Sequence, residues 1–279
     1  MNEAEQIPFH KKRRQNFLSE ERWNTILEKI PETIKILTDN FNSGNLELKG
    51  SYALASSTLW RYLKAIYTAG EPISNLPSIL DDIIHILETS TQFWQEHKKE
   101  LAEHGYYSGP FVWDDSDNYM KVLGLISVCY LLQQEDLLPR LLEVILANAE
   151  DEPDTTIEDF FYYRFKDRPD TGYVQMGDHA ILISDAIRGE TKEEQLESLN
   201  AYLKDWYHEM VGMNDLEYQS HLDPEQNGYC GYWAFEAAAI AYLDDLDDTE
   251  LRQSPYYPKD MVDWAREQKR KCEDKGKAD

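Results

Sequence analysis

The stretch TKEEQLESLNAYLKDWYHEMVG, residues 191–212, shows most clearly what kind of fold this chain adopts. Its apolar residues recur every three or four positions, which is the spacing that gathers side chains on one face of an α-helix. Thr191 and Glu194 have the spacing of a capping box, and Gly212 stands where such a helix ends. We therefore predict an amphipathic helix over these residues.

The same helical spacing recurs upstream. Three segments between residues 19 and 104 have it, and Ser19 and Ser78 are expected to cap the first and the third. Residues 119–132 are apolar almost throughout, too long for a typical strand and too short to cross a bilayer, so they predict a central buried helix. No convincing strand lies among these segments.

Two further segments flank an acidic, proline-containing stretch. Residues 137–147 predict a helix with Pro139 tolerated in its first turn. Residues 178–187 fit a helix or a strand by pattern alone, and their alanines and flanking glycines favour a helix. The acidic stretch, residues 149–155, is the best candidate for a boundary between the two halves of the chain.

Together these segments predict an all-α protein, a helical bundle of stacked helical hairpins with about nine or ten helices in two closely packed halves. We expect an N-terminal helical domain over residues 1–149. We expect an acidic C-terminal helical domain over residues 150–279.

Negative charge is concentrated in the second half. The chain has 53 acidic and 28 basic residues, and residues 150–263 hold 28 of the acids but only 8 of the basic residues. Such a surface repels the phosphates of nucleic acids and of anionic membranes, so we expect neither as a partner. It attracts a basic protein, although solubility alone also accounts for an acidic surface.

Motifs for catalysis or cofactor binding are weak. Cys129, Cys230 and Cys272 form neither a disulfide pattern nor a zinc pattern, and His208-Glu209 lacks the second histidine of a zinc-protease motif. The acids of residues 244–250 lack the glycine and the final glutamate of a calcium loop. We expect no metal, no cofactor and no catalytic residue. With no secretory signal and no apolar stretch of membrane-spanning length, we expect a cytoplasmic protein.

Two short patterns leave enzymatic alternatives open. Pro169-Asp170 with Glu190 and Lys192 imitates the pattern of metal-dependent nucleases, but those place the residues on adjacent strands and here they fall at a helix junction. An aromatic loop beside acids predicts the other alternative, a small all-α glycoside hydrolase or lyase with an acidic, aromatic-lined cleft. That loop contains Tyr106, Tyr107, Phe111 and Trp113 beside Asp114, Asp115 and Asp117.

The segment GYWAFEAAAI, residues 231–240, followed by YPKD, residues 257–260, resembles the C-terminal signature of the PoNi family. These are bacterial immunity proteins that neutralise PoNe toxins, which are DNase effectors delivered by secretion systems. The resemblance implies an all-α, two-part fold, cytoplasmic residence and no catalysis. It also implies a function in bacterial competition, namely binding a cognate DNase toxin so that the producing cell is protected.

The signature itself predicts the core more than an interface. Trp233, Phe235 and the alanines are expected to be buried, and Glu236 is expected to pair with Lys259 or Arg266. No contact residue carries over from the family.

We therefore take the toxin-binding residues from the acidic clusters. The hypothesis comprises Asp244, Asp245, Asp247, Asp248, Glu150, Asp151, Glu152 and Asp154, with Asp114, Asp115 and Asp117 as a further patch. A partner with a basic surface fits all of them. Two mechanisms remain open, plugging of the toxin active site and covering of its DNA groove, as does pairing of the chain with itself as a homodimer.

Overall fold

All regular structure in the described part of the chain is helical. The computed structural model describes residues 7–105, 109–110, 116–148, 154–212 and 217–276. Its helices are α1 Phe9–Lys12, α2 Glu20–Phe41, α3 Leu46–Gly50, α4 Ala53–Thr68, α5 Leu76–Glu103, α6 Ser116–Leu131, α7 Leu138–Asn148, α8 Thr155–Tyr162, α9 Gly177–Arg188, α10 Lys192–Gly212, α11 Phe235–Leu243 and α12 Lys259–Gly276. Ten of them have eight or more residues, so the all-α prediction of nine or ten helices is confirmed.

The predicted helix starts are confirmed at two of three serine or threonine caps. The Ser19 hydroxyl accepts from the Arg22 backbone amide at the start of α2. Thr191 and Glu194 form the reciprocal capping box of α10, with each side chain accepting from the other residue's amide.

The cap predicted at Ser78 is wrong. A 3-10 turn over Ile73–Asn75 leads directly into α5, which begins at Leu76 with Pro77 in its first turn. Proline is pre-organised for that position, so the helix starts two residues before the predicted cap. The Ser78 hydroxyl instead donates to the Asn75 carbonyl.

The chain divides by its contacts into two compact units. The first comprises Met1–Tyr107 with Gln219–Gly231. In it α4 packs against α2 and α5, and Leu37, Tyr52, Ala55 and Ile86 form a buried cluster.

The late segment 219–231 is held in this first unit by hydrogen bonds from arginines. Arg22 donates to the carbonyls of Tyr229, 3.2 Å from its Nε, and of Asn227, 2.7 Å from Nη2. Arg61 donates to the Gly228 carbonyl at 3.0 Å. Guanidinium groups can donate several bonds in a fixed fork, so two of them satisfy a run of loop carbonyls.

The second unit comprises Ser108–Tyr218 with Tyr232–Asp279. As predicted, α6 is its buried helix: it packs against α8, α11 and α12, while α10 packs against α9. Residues 178–187 lie in α9, so the choice of helix over strand there is confirmed. The contact-based division places α6 with the C-terminal unit, and the domain boundary near residue 150 stays a prediction.

Candidate functional site

The acidic segment that follows α11, residues 244–250, belongs to the second unit, and its members have different surroundings. Asp244 is half-buried, and its carboxylate accepts from the Tyr163 hydroxyl at 2.6 Å and from Gln195 Nε2 at 2.7 Å. Asp245 is exposed and has a left-handed backbone with φ of 51°. Aspartate tolerates this conformation better than most residues, which lets the chain turn away from α11.

Asp248 serves the fold. It is only 3% exposed, and its carboxylate accepts from Arg266 at 2.8 Å, from Arg252 at 3.0 Å and from the Tyr257 hydroxyl at 2.9 Å. Burial acts to raise the pKa of Asp248, but the three hydrogen bonds outweigh it and hold the pKa below its usual value. The carboxylate therefore fixes the acidic segment to α12 and is not presented to a partner.

Asp247, one residue earlier, points into solvent. Its Oδ1 accepts from the Thr249 hydroxyl at 2.6 Å and from the Thr249 amide at 3.2 Å. These bonds hold the pKa of Asp247 below its usual value, so the side chain is ionised at neutral pH. The turn orients a fixed negative charge outward.

Asp247 is one wall of an open groove of about 720 Å³. We call it the acidic groove; it is lined by Glu193, Leu196, Glu197 and Asn200 of α10 and by Asp247, Thr249 and Glu250. The side-chain amide of Asn200 donates to the Glu250 carboxylate across the groove at 3.4 Å. Lys192 donates to the Asp245 backbone carbonyl at 2.6 Å. Four carboxylates thus share one concave surface.

Three of those carboxylates, Glu193, Glu197 and Glu250, were not among the predicted site residues. The spacing of Glu193, Glu197 and Asn200 is a sequence signal, because residues four and three apart share a helix face. Which segment that face meets depends on how α10 packs, and this information is tertiary.

A group of aromatic rings surrounds Tyr207, which lies further along α10. We call Tyr207, Tyr218 and Tyr256 the tyrosine cluster; all three are partly exposed. The Tyr207 ring lies parallel to that of Tyr256, with centroids 5.4 Å apart, and 5.0 Å from that of Tyr218. Trp206 packs on Tyr256 from the buried side at 5.4 Å. Burial and the two neighbouring phenols raise the pKa of Tyr256.

Glu236, from the PoNi-like signature, lies in the core behind these rings. Its Oε1 accepts from the Tyr202 hydroxyl at 2.6 Å and from Trp206 Nε1 at 2.9 Å, and burial raises its pKa. The predicted pairing of Glu236 with Lys259 or Arg266 is wrong, since Arg266 binds Asp248 and an indole and a phenol satisfy Glu236. Trp233, Phe235 and the signature alanines are buried, as predicted.

The other predicted acids are dispersed. Asp154 is buried and caps α8, accepting from the Ile157 amide at 3.0 Å, the Gln175 amide at 2.8 Å and the Tyr119 hydroxyl at 2.9 Å. Asp117 lies in the first turn of α6. Glu150, Asp151, Glu152, Asp114 and Asp115 lie outside the described residues, as does the aromatic loop with Tyr106, Tyr107, Phe111 and Trp113.

The residues of the nuclease-like pattern are used elsewhere. Asp170 pairs with Arg188 at 2.9 Å, and Lys192 binds a backbone carbonyl. Throughout the described ranges, no three or more His, Cys, Asp or Glu side chains gather as a metal site would require. Nor does any helix within those ranges combine the length and apolar character needed to cross a membrane.

Comparisons with known proteins bear on the segment that holds both surfaces. Residues 152–261 match the family model described as PoNe immunity proteins (PoNi), C-terminal, which confirms the resemblance. No curated protein matches the chain. Among solved structures, the chain is similar to protein PA2201 from Pseudomonas aeruginosa, with 19% sequence identity, a TM-score of 0.69 and coverage of 92% of this chain and 91% of that one. This likeness shows a shared fold.

Proposed function

We propose that this chain, which carries a PoNi C-terminal segment over residues 152–261, is an immunity protein that binds and inhibits a cognate DNase effector toxin. It acts in the cytoplasm of the producing cell, by binding and without catalysing a reaction. The observation that carries the proposal is the acidic groove, because all of its lining residues fall inside the matched segment.

The electrostatics of the two partners are complementary. A DNase must present a basic surface to the phosphates of its substrate. Fixed carboxylates on a concave surface attract such a face, accelerate encounter and occupy the positions that phosphates would take. The acidic groove therefore competes with DNA for the same basic residues.

The acidic groove narrows the set of contact residues. We assign contacts to Glu193, Glu197, Asp247 and Glu250, with exposed Asp245 at the edge. Asp248 and Asp154 are buried and support the fold instead. The predicted acids outside the described residues stay a hypothesis.

Charge reversal in the acidic groove tests the proposal. The double variant Glu197→Lys/Glu250→Lys is compared with Glu28→Lys/Glu32→Lys, which makes the same change in net charge at exposed positions of α2. Binding of the proposed cognate nuclease is measured by surface plasmon resonance at several salt concentrations. We expect the groove variant to bind roughly 10- to 100-fold more weakly, with slower association and a shallower salt dependence, because like charges then meet at the interface.

The control variant should change affinity by about threefold or less, since exposed charges far from an interface are screened. Equal losses in both variants would mean that total charge, rather than the acidic groove, governs binding. Full protection of DNA from the nuclease by the groove variant would also contradict the proposal.

A further inference from the structure

The tyrosine cluster and the acidic groove lie along one face of α10. Glu193, Asn200 and Tyr207 follow one another at intervals of seven residues, close to two helical turns, so their side chains share a face. The distance from Glu193 to Tyr207 along the axis is roughly 21 Å at 1.5 Å per residue. The groove and the cluster are therefore two ends of one strip.

The opposite side of the strip is also continuous. The chain that follows α11 brings Glu250 to Asn200 at one end and places Tyr256 against Tyr207 at the other. A partner segment lying along α10 would thus touch carboxylates first and aromatic rings next. The strip suits an extended segment with cationic side chains toward its two ends, because exposed Lys204 lies between the acidic groove and Tyr207.

The rings have the right chemistry for a planar cation. An aromatic face is electron-rich and attracts a cation placed over it, and tyrosine rings keep this property while their phenols are neutral. Burial raises the pKa of Tyr256, which is the direction that favours its neutral phenol. The surrounding charge favours a cation further, since the carboxylates of the acidic groove lie at the other end of the strip.

Arginine fits this cluster better than lysine. Its guanidinium group is flat, stacks on aromatic rings and is weakly hydrated, so it loses less on leaving water. The ammonium group of lysine is compact and strongly hydrated, which suits the open carboxylates of the acidic groove as well as arginine does. Discrimination between the two cations should therefore arise at the tyrosines.

We propose that the tyrosine cluster binds an arginine side chain of the basic partner, stacking its guanidinium on the partly exposed rings while the acidic groove holds neighbouring cations. The identity of the partner as a nuclease toxin rests on the proposed function; the arginine site does not. In the complex this side chain is the desolvated anchor, and the groove supplies fast encounter.

Hexa-arginine and hexa-lysine peptides test the site with the full-length protein. Isothermal titration calorimetry should show that the wild type binds hexa-arginine about fivefold to tenfold more tightly, the range expected for a cation–aromatic contact. In Tyr207→Leu and in Tyr218→Leu this preference should disappear while binding of hexa-lysine is kept. Glu197→Lys/Glu250→Lys should weaken both peptides about equally.

Two further variants show whether the aromatic face itself produces the preference. Tyr207→Phe keeps the ring and should keep most of the preference, whereas Tyr162→Leu should leave it intact. Tyr162 is 49% exposed on α8, and its ring already has Lys166 over it at 4.3 Å. Thermal unfolding of each variant verifies folding, and Tyr218, in a turn outside α10, provides a variant that leaves the helix unchanged.

Equal affinity of the wild type for the two peptides would overturn the proposal, and so would a preference that survives in both leucine variants. The arginine preference without any binding of the nuclease would contradict the proposed function and leave the arginine site standing. If the nuclease binds tightly and neither leucine variant weakens that binding, the arginine site is contradicted and the proposed function stands.

Discussion

The acids of α8 and those of the acidic groove carry the same formal charge but have opposite consequences. On α8, Glu158 makes two bonds to Arg168 at 2.6 and 2.7 Å, and Asp159 makes two to Arg188 at 2.8 and 2.7 Å. Their field is cancelled within a few ångströms. In the groove, the nearby Lys192 donates to a backbone carbonyl, and Asp247 and Glu250 accept from uncharged groups of Thr249 and Asn200, which leave their charge in place.

The difference shows why net charge alone says little about an interface. Arg168, Arg188 and Arg252, three of the 8 basic residues between 150 and 263, form bidentate or bridging pairs with acids of the same segment. Acids held in such pairs stabilise the fold, and those left over produce the external potential. We therefore expect stability and binding to respond to different sets of acids.

The largest effect should come from breaking a pair on α8. Glu158 is 5% exposed and Arg168 is 15% exposed at the side chain, so Glu158→Ala leaves a largely buried guanidinium without its carboxylate. We expect a loss of about 3 kcal/mol in the free energy of unfolding, measured by urea denaturation.

The matched control for that prediction is Glu197→Ala in the acidic groove. Because Glu197 is exposed, its removal should change the free energy of unfolding by less than about 0.5 kcal/mol. Comparable losses in the free energy of unfolding of the two variants would contradict the distinction between paired acids and groove acids.

A second effect concerns the pH dependence of the free energy of unfolding. We expect it to come from a buried histidine and not from the acids of the groove. Burial lowers the pKa of His179 from about 6.5 to about 4, against the opposing charge of Asp205. Since the unfolded chain takes up the proton first, the stabilisation from neutral His179 is complete above pH 6.5 and is lost as the pH falls toward 4. The loss amounts to about 3 kcal/mol at 1.36 kcal/mol per pKa unit.

His179→Phe isolates this contribution. The ring of His179 stacks on Tyr202 at 4.3 Å, and phenylalanine keeps a ring there that cannot be charged. Urea denaturation at about pH 7, 5.5 and 4 should show the wild type losing stability relative to the variant as the pH falls. The raised pKa of Glu236 acts in the opposite direction, so the two proteins are compared with each other at every pH. A constant difference across the range would contradict the prediction.

The smallest effect should come from Lys204, a lysine on the groove face of α10. Lys204 is exposed and lies four residues beyond Asn200 and three before Tyr207, so it opposes a basic partner. Lys204→Glu should tighten nuclease binding roughly twofold to fivefold, mainly through faster association. Lys29→Glu on α2 makes the same charge change and should have no such effect; weaker binding by Lys204→Glu would count against the proposed strip.

Local patterns predicted the helices well, because caps and apolar spacing act within a few residues. Ser19 and Thr191 cap their helices, and residues 178–187 form α9. Ser78 failed as a cap because an upstream 3-10 turn and Pro77 competed with it over the same residues. Two local signals of similar strength therefore competed for the start of α5, and the one that includes Pro77 determined it.

Side-chain roles in the site were harder to predict. Asp247 and Asp248 are adjacent and have the same side chain. Asp247 lines the acidic groove, whereas Asp248 is bound by two arginines and a tyrosine. Glu236 is satisfied by a phenol and an indole of α10, where a cation was expected. These assignments depend on partners distant in sequence.

By itself, the sequence determined the all-α architecture, the position of most helices, the concentration of acids after residue 150 and the PoNi-like segment. Those properties follow from periodicity, capping and composition, which are local or additive along the chain. Only the tertiary structure decided which acids are neutralised, which share a groove and which tyrosines meet. Charges cancel and rings stack over a few ångströms in space, and spacing along the chain does not specify those distances.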